Sequence, residues 1–135
     1  MRAIELRTEY LKEPLGLDNR HPRFYWKCEN GIRQTAYQLI AKKDNETIWD
    51  TGKVKSDRMT HIPYEGPLLK SRDHIAWSVT LWDEQDRKGE AVASWFEMGL
   101  LDESDWEAHW ISGNYKPRKN ERYPVDCFKK TFRLQ

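Results

Sequence analysis

The chain has 135 residues, about the length of one domain, and its 7 tryptophans, 6 tyrosines and 4 phenylalanines are too many for a disordered segment. Its net charge is +1, and acidic and basic residues are interleaved, so the sequence holds neither a basic stripe for phosphate backbones nor a polybasic tail for anionic lipid. We therefore expect neither nucleic acid nor a membrane surface among its partners.

Apolar and polar residues alternate with a period of two through the first part of the chain, which is typical of half-buried β-strands. The predicted inward residues of the first three strands are Ile4, Leu6 and Thr8, then Phe24, Trp26 and Cys28, then Tyr37, Leu39 and Ala41. Turn-forming residues separate these strands at 14–19, 30–31 and 44–46.

Shorter strands are predicted at 47–49 and 59–64. The clearest alternation follows at 74–83, where the predicted inward residues are Ile75, Trp77, Val79 and Leu81. A charged hairpin tip leads to a return strand at 93–100, with Phe96 and Met98 inward. Several short strands without a long 3.6-residue pattern predict an all-β sandwich or barrel with antiparallel hairpins.

The pattern changes after residue 101. Ser104 and Glu107 have the spacing of a capping box, which predicts a turn or two of helix, and a linker without apolar periodicity follows. We expect one domain at 1–111, a linker at 112–124, and the first strand of a following, truncated domain at 125–135. In that last run Phe128, Phe132 and Leu134 share one face, and the alternative is an edge strand that completes the sandwich.

No motif predicts chemistry. The four histidines lack ligand spacing, there is no phosphate-binding loop, and Cys28 and Cys127 are interpreted as semi-buried apolar residues. The acidic residues near the predicted helix start are expected to cap it or to face solvent. They are Glu97, Asp102, Glu103, Asp105 and Glu107. We therefore expect no catalytic residue, no metal site and no cofactor.

The tryptophans are the remaining candidates for a functional site. Trp26 and Trp77 follow the inward alternation and belong to the core, while Trp106 and Trp110 are expected to lock the linker onto the sandwich. Trp49, Trp82 and Trp95 are the candidates for exposure, and an exposed apolar patch marks an interaction site. They are predicted either to pack against another domain or to stack on sugar rings.

The opening residues place a charge between apolar residues at almost every step, unlike a signal peptide or a transmembrane segment. If Met1 is the native start, we expect the protein in the cytoplasm.

Several stretches, in this order, resemble the start of bacterial α-L-rhamnosidases across residues 1–111. They are 14–18 (PLGLD), 22–26 (PRFYW), 34–39 (QTAYQL), 49–54 (WDTGKV), 76–79 (AWSV) with Trp82-Asp83, 96–101 (FEMGLL), and Trp106 with Trp110-Ile111. The resemblance implies a fibronectin type III-like, immunoglobulin-type β-sandwich at the N-terminal end of a larger enzyme. The run 128–134 resembles the first strand of the domain that follows in that family.

The resemblance also implies a parent enzyme that hydrolyses terminal α-L-rhamnosides with inversion, using carboxylates in a later (α/α) barrel that this chain lacks. It assigns no catalytic residue here. The leading hypothesis is therefore a non-catalytic accessory module whose partners are later domains of the same polypeptide. The alternatives are a carbohydrate-binding module for rhamnosylated carbohydrate, and a fibronectin-like protein–protein adaptor.

Overall fold

A computed structural model describes residues 1–113, 116, 118–120, 122 and 125–133, and these residues form eight strands. The strands are β1 Arg2–Thr8, β2 Arg23–Glu29, β3 Ala36–Lys43, β4 Glu46–Asp50, β5 Val54–Lys55, β6 Ile62–Pro63, β7 His74–Trp82 and β8 Val92–Glu97. One sheet has the order β1-β2-β6, and the other has the order β4-β3-β7-β8 with β5 also paired to β3. All these strand pairs are antiparallel. The predicted all-β sandwich is confirmed.

The longest strand pair, β3 with β7, follows the predicted alternation. Leu39 lies opposite Val79 and Ala41 opposite Trp77, and all four side chains are buried between the sheets. Because successive strand residues point to opposite faces, the period of two in the sequence sets this inward row directly. Complete burial of one such apolar side chain contributes about 1.5–3 kcal/mol relative to exposure.

Aromatic rings join the two sheets at the centre of the core. The Phe24 ring of β2 lies 4.5 Å from that of Trp77 and 6.1 Å from that of Phe96, both in the opposite sheet. Its ring also stacks at 6.1 Å on Trp49 of β4. These tilted and stacked arrangements suit the charge distribution of aromatic rings, so Phe24 contacts three strands of the other layer at favourable geometry.

Strand β1 departs from the predicted alternation. Ala3 and Leu6 are buried although they are three residues apart, and Ile4 is only partly buried. The register with β2 shifts between Ile4 and Arg7, and Glu5 has a φ of 49°. An extra residue in one strand is a β-bulge, and it moves the inward row by one position. The prediction that Ile4 faces the core is therefore wrong.

The strand predicted at 59–64 is reduced to Ile62–Pro63, since His61 has a φ of 54° and leaves the extended conformation. Pairing to β2 continues on both sides of this kink. The Trp26 N–H donates to the Met59 carbonyl at 3.0 Å, and the Tyr64 N–H donates to the Pro22 carbonyl at 2.9 Å.

The predicted helix start is a single 3₁₀ turn at Glu103–Asp105. Asp102, rather than Ser104, precedes it, and the Asp102 N–H donates to the Asp105 carboxylate at 3.2 Å. Asp105 also accepts a hydrogen bond from the Ser71 hydroxyl, whose oxygen in turn accepts the Leu101 N–H at 2.8 Å. The capping pair Ser104–Glu107 was wrong because this distant serine fixes the turn at an earlier position.

The described residues after 105 form no strand or helix and carry exposed apolar side chains. Trp106 is 59% exposed and Trp110 is 97% exposed, so the prediction that they lock the linker onto the sandwich is wrong for this chain. Cys127 is exposed rather than semi-buried, whereas Cys28 is partly buried as expected. No helix among the described residues is long and apolar enough to cross a bilayer.

The predicted boundaries at 111 and 124 stay a prediction. Residues 125–133 adopt no strand, and Leu134 and Gln135 lie outside the described residues. A first strand of a following domain would pair only within that domain, so its identification also stays a prediction.

A buried amide fixes the loop between β5 and β6 to the sandwich. Gln34 accepts the indole N–H of Trp26 at 2.9 Å and donates to the carbonyls of Ser56 and Arg58, each at 3.0 Å. Trp26 is buried, so its indole N–H depends on Gln34 for a partner, whereas Ser56 and Arg58 lie nearer to solvent.

We expect Gln34→Leu to lower the free energy of unfolding by about 1–3 kcal/mol, because it leaves the buried Trp26 indole N–H without a partner and releases the loop at Ser56 and Arg58. Urea denaturation followed by tryptophan fluorescence measures the change. The matched control is Gln38→Leu, which removes an exposed hydrogen bond to Asp50 of 2.8 Å and should cost less than about 1 kcal/mol. Equal losses in the two variants would contradict the assignment.

A second polar cluster closes the outer surface of the β1-β2-β6 sheet. The Glu9 carboxylate accepts the Arg23 side chain through two hydrogen bonds of 3.0 and 2.6 Å, and it accepts the Arg23 backbone N–H at 2.6 Å. Tyr10 lies beside them, with its ring 4.5 Å from that of Tyr25 and its hydroxyl 2.7 Å from Nε2 of His61. Glu9, Tyr10 and His61 all have positive φ, so this cluster holds three residues in a costly backbone conformation.

The hydrogen bonds from Arg23 hold the pKa of the Glu9 carboxyl below its ordinary value of 4.5. Because the folded-state pKa is the lower one, Glu9 stabilises the fold above pH 4.5 and loses this contribution as the pH falls through the folded-state value. We expect Glu9→Gln to have a lower urea midpoint than the natural chain at about pH 7 and a similar one at about pH 3. A difference that persists unchanged at low pH would refute this linkage.

Candidate interaction surfaces

Trp49 lies at the edge of the larger sheet and faces inward. It pairs opposite Ala41, is partly buried, and packs against Phe24 and edge-on against Tyr64 at 5.1 Å. A surface groove of about 330 Å³ borders it, lined also by Tyr37 and Arg58. Trp49 therefore extends the core to the sheet edge and presents only part of its ring to solvent.

Trp82 lies on the outer face of β7 but is only 8% exposed. The ammonium groups of Lys53 and Lys88 lie 4.9 and 5.6 Å from the centre of its ring. Lys53 also pairs with Asp86 at 2.5 Å, which ties the hairpin tip across the indole. The expectation that Trp82 is exposed is wrong, because lysine side chains cover the ring through cation–π contacts.

Trp95 lies on the outer face of β8, opposite Ala76 of β7. It is partly buried and stacks on His74, with ring centres 5.0 Å apart and planes inclined at 30°. Nδ1 of His74 lies 3.7 Å from the Glu97 carboxylate. Since Trp82 is six residues further along β7 than Ala76, the backbone positions of Trp95 and Trp82 lie about 20 Å apart along the sheet. The fold does not bring the three candidate tryptophans together.

The acidic residues near the end of β8 lie in structural contacts. Asp102 pairs with Arg20 at 2.9 Å, and Glu97 lies beside His74. The hydrogen bond from Ser71 lowers the pKa of Asp105, whereas a general acid needs a raised pKa. Among the described residues no group of three or more histidine, cysteine or acidic side chains can hold a metal ion. This surface therefore lacks the arrangement of an acid–base or metal site.

A groove of about 360 Å³ runs between the free edges of β1 and β8. Its β8 side consists of Val92, Ala93 and Ser94, and its other side carries charges of both signs. Beyond it, residues 14–17 cover the end of β8, where the Glu97 N–H donates to the Pro14 carbonyl at 3.0 Å. The lining side chains are not arranged around one point, so the groove is an open sheet edge rather than a small-molecule pocket.

The sequence pattern missed one surface, at the end of the sandwich from which the chain leaves. We call this the exit end; it comprises residues 9–22, 64–73 and 98–105. Leu15, Leu68 and Leu100 are exposed there. These leucines lie in connecting segments, where no period of two marks an inward or outward face, so alternation carries no signal for them.

A family model, the Rha78A-like, N-terminal immunoglobulin domain, matches residues 3–102. An α-L-rhamnosidase of Streptomyces avermitilis is 41% identical over 121 residues, which are 83% of this chain and 12% of that protein. One from Formosa agariphila is 36% identical over 118 residues, 77% of this chain and 12% of that protein. The chain thus spans about an eighth of the length of these relatives.

Solved structures of α-L-rhamnosidases also match this chain over a small part of their length. The crystal structure of the Streptomyces avermitilis α-L-rhamnosidase complexed with L-rhamnose matches with a TM-score of 0.74, over 82% of this chain and 12% of that chain. The α-L-rhamnosidase of Dictyoglumus thermophilum matches with a TM-score of 0.73 at 37% identity, over 82% of this chain and 14% of that chain. An Aspergillus terreus enzyme, at 20% identity, has the same fold with a TM-score of 0.68.

The predicted resemblance to the start of α-L-rhamnosidases is confirmed, since the family model runs from β1 to the residue before the 3₁₀ turn. The chain belongs to the family of Rha78A-like N-terminal immunoglobulin domains.

Proposed function

We propose that this domain is a non-catalytic structural module of an α-L-rhamnosidase and that it packs against later domains of the same polypeptide. The observation that carries the proposal is that the chain matches only 12% of the length of its α-L-rhamnosidase relatives, and that its described residues form a two-sheet sandwich without a convergent polar site. The parent polypeptide would hydrolyse terminal α-L-rhamnosides.

The chemistry of glycoside hydrolysis supports placing the reaction elsewhere. An inverting glycosidase needs two carboxyls about 6.5–9.5 Å apart on opposite sides of the sugar, one of them with a raised pKa. Asp105 has a lowered pKa, and Asp102 is held by Arg20. Both are committed to holding the 3₁₀ turn against the sandwich, so they are poor candidates for this pair.

The exposed apolar side chains support the packing role. After residue 105 the described residues carry large apolar side chains with no cover from the sandwich. They are Trp106, Trp110, Ile111, Val125, Phe128 and Phe132. Because six large apolar side chains of this segment have no cover, we take them as support for a contact between the segment and another protein surface. In a longer polypeptide the adjacent domains are the partners held closest to it, which favours them over an independent adaptor role.

We expect the 135-residue chain to leave an aryl α-L-rhamnoside unhydrolysed. We also expect the domain to stabilise a rhamnosidase when it is part of that polypeptide. Deleting the matched segment from the Streptomyces avermitilis enzyme should lower its Tm by several degrees, because surface that the domain covers becomes exposed. Inserting residues 1–111 of this chain in place of that segment should recover at least half of the loss. Differential scanning calorimetry and the hydrolysis rate measure both effects.

The whole Streptomyces avermitilis enzyme is the positive control for hydrolysis. Turnover by the 135-residue chain would exclude a purely structural role, and a deletion variant as stable as the whole enzyme would exclude the packing role.

A second candidate function, carbohydrate binding, rests on Trp95. Its indole is partly exposed on the outer sheet face, and Ala76 and Ala93 beside it are exposed and small, which leaves room for a sugar ring. Sugar stacking favours two aromatic platforms, and Trp82 is covered. This function is therefore the weaker proposal.

We expect no saturable change in tryptophan fluorescence when L-rhamnose is added to the chain at up to about 10 mM, a concentration that detects millimolar affinity. The Trp95→Ala variant is the control for any change that does appear. Saturation that disappears in Trp95→Ala would establish the binding role and overturn this expectation.

A further inference from the structure

The exposed apolar side chains of the sandwich are distributed unevenly between its two ends. Within residues 1–105, all of which the structure describes, six large apolar side chains are exposed. Five of them belong to the segments of the exit end, and they are Tyr10, Leu11, Leu15, Leu68 and Leu100. Of these, Tyr10 lies against Tyr25 and His61 on the outer surface of the smaller sheet. The sixth, Ile32, lies in the β2–β3 connection at the opposite end.

Strand directions bring the three segments of the exit end together. β1 ends at Thr8, opposite Phe24 near the start of β2, and His74 at the start of β7 lies opposite Glu97 at the end of β8. β3 ends at Lys43, whose ammonium group contacts the Asp73 carboxylate at 2.6 Å. The connections before β2 and before β7 therefore meet the chain as it leaves β8.

Hydrogen bonds hold these connections in one fixed arrangement. The Leu17 N–H donates to the Glu97 carbonyl at 2.9 Å, and the Gly99 N–H donates to the Leu17 carbonyl at 2.7 Å. The Arg72 N–H donates to the Gly99 carbonyl at 3.2 Å. A Cβ at Gly99 would lie 3.2 Å from the Gly16 carbonyl oxygen, so a larger residue would fit only if the backbone at Gly16 moved by a few tenths of an ångström.

Arg20 links all three segments of the exit end. Its guanidinium donates to the Leu69 carbonyl at 2.9 Å and pairs with Asp102 at 2.9 Å. The Arg20 side chain is partly buried and that of Asp102 is exposed, so the ion pair is open to solvent, and the hydrogen bond to the Leu69 carbonyl is the better protected of the two contacts. The surface that carries Leu15, Leu68 and Leu100 is therefore already ordered. A partner that binds it does not incur the entropy cost of ordering these loops.

We propose that the exit end is the face of the sandwich that packs against the polypeptide following this domain in an α-L-rhamnosidase; the proposal rests on the structural role above. Trp106, 59% exposed, continues the apolar surface directly after the 3₁₀ turn. The relatives extend far beyond the matched segment, so the polypeptide that leaves here is long enough to fold back over the exit end.

The test uses the Streptomyces avermitilis enzyme that carries residues 1–111 of this chain in place of its own segment. We expect the double substitution Leu15→Gln and Leu68→Gln to lower the Tm of this chimera by at least about 3 °C. The control is Ile32→Gln, because Ile32 is 88% exposed against 70% for Leu15 and 62% for Leu68, and it lies at the opposite end. The control should leave the Tm unchanged.

Hydrogen exchange gives a second measurement that needs no substitution. Backbone amides of 66–72 and 98–102 should exchange more slowly in the chimera than in the 135-residue chain, while those of 29–33 should exchange equally in both. Equal exchange at the exit end, or a double variant no less stable than Ile32→Gln, would overturn the proposal. If one of these outcomes is found and deletion of the whole domain still destabilises the enzyme, the exit end is not the contact face, but the structural role of the domain is retained.

Discussion

The contact between Phe24 and Trp77 is the constraint on which the rest of the sandwich depends. It joins the central strand of the smaller sheet to a central strand of the larger one, with ring centres 4.5 Å apart. Because Phe24 also contacts Phe96 and Trp49, one side chain sets the spacing of three strands in the facing layer. The polar contacts around the core then fix the connections on this aromatic frame, Gln34 at one loop and Arg20 at the exit end.

The β3–β7 pair of the larger sheet was predictable from the sequence because its register has no shift. In β3 and β7 every second side chain is apolar, and with only two faces available the inward set follows from the register. The inward row of β1 was predicted less well. The bulge at Glu5 depends on a positive φ, and a glutamate in the sequence gives no sign of that backbone conformation. The start of the 3₁₀ turn was predicted wrongly for a related reason. Asp105 in this turn bonds to Ser71, which is 34 residues away in the sequence.

The exposed apolar surface of the sandwich was harder to predict from the sequence than its strands. Alternation places Trp82 on the outer face of β7 correctly, but it does not show that the indole is covered. Lys53 reaches it from the β4–β5 connection, and Lys88 reaches it from the hairpin that follows β7. The leucines of the exit end can be recognised in the sequence as apolar residues in turns. The sequence does not predict which way their side chains face, because the turns have no regular period. The family resemblance supplied the identity of the domain, and the three-dimensional fold was needed to show where its apolar surface lies.

The bulge in β1 has a consequence for the behaviour of the molecule in concentrated solution. β1 is an edge strand, and a regular edge of this kind is a template on which the strand of another molecule can add. The irregular spacing at Glu5 interrupts the ladder, and Arg2, Glu5 and Arg7 place charge along the same strand. An incoming strand would lose hydrogen bonds at the bulge and would bring charged side chains, among them the Glu5–Lys27 ion pair, into its contact surface. The same residue that breaks the alternation therefore disfavours the addition of a second molecule at this edge.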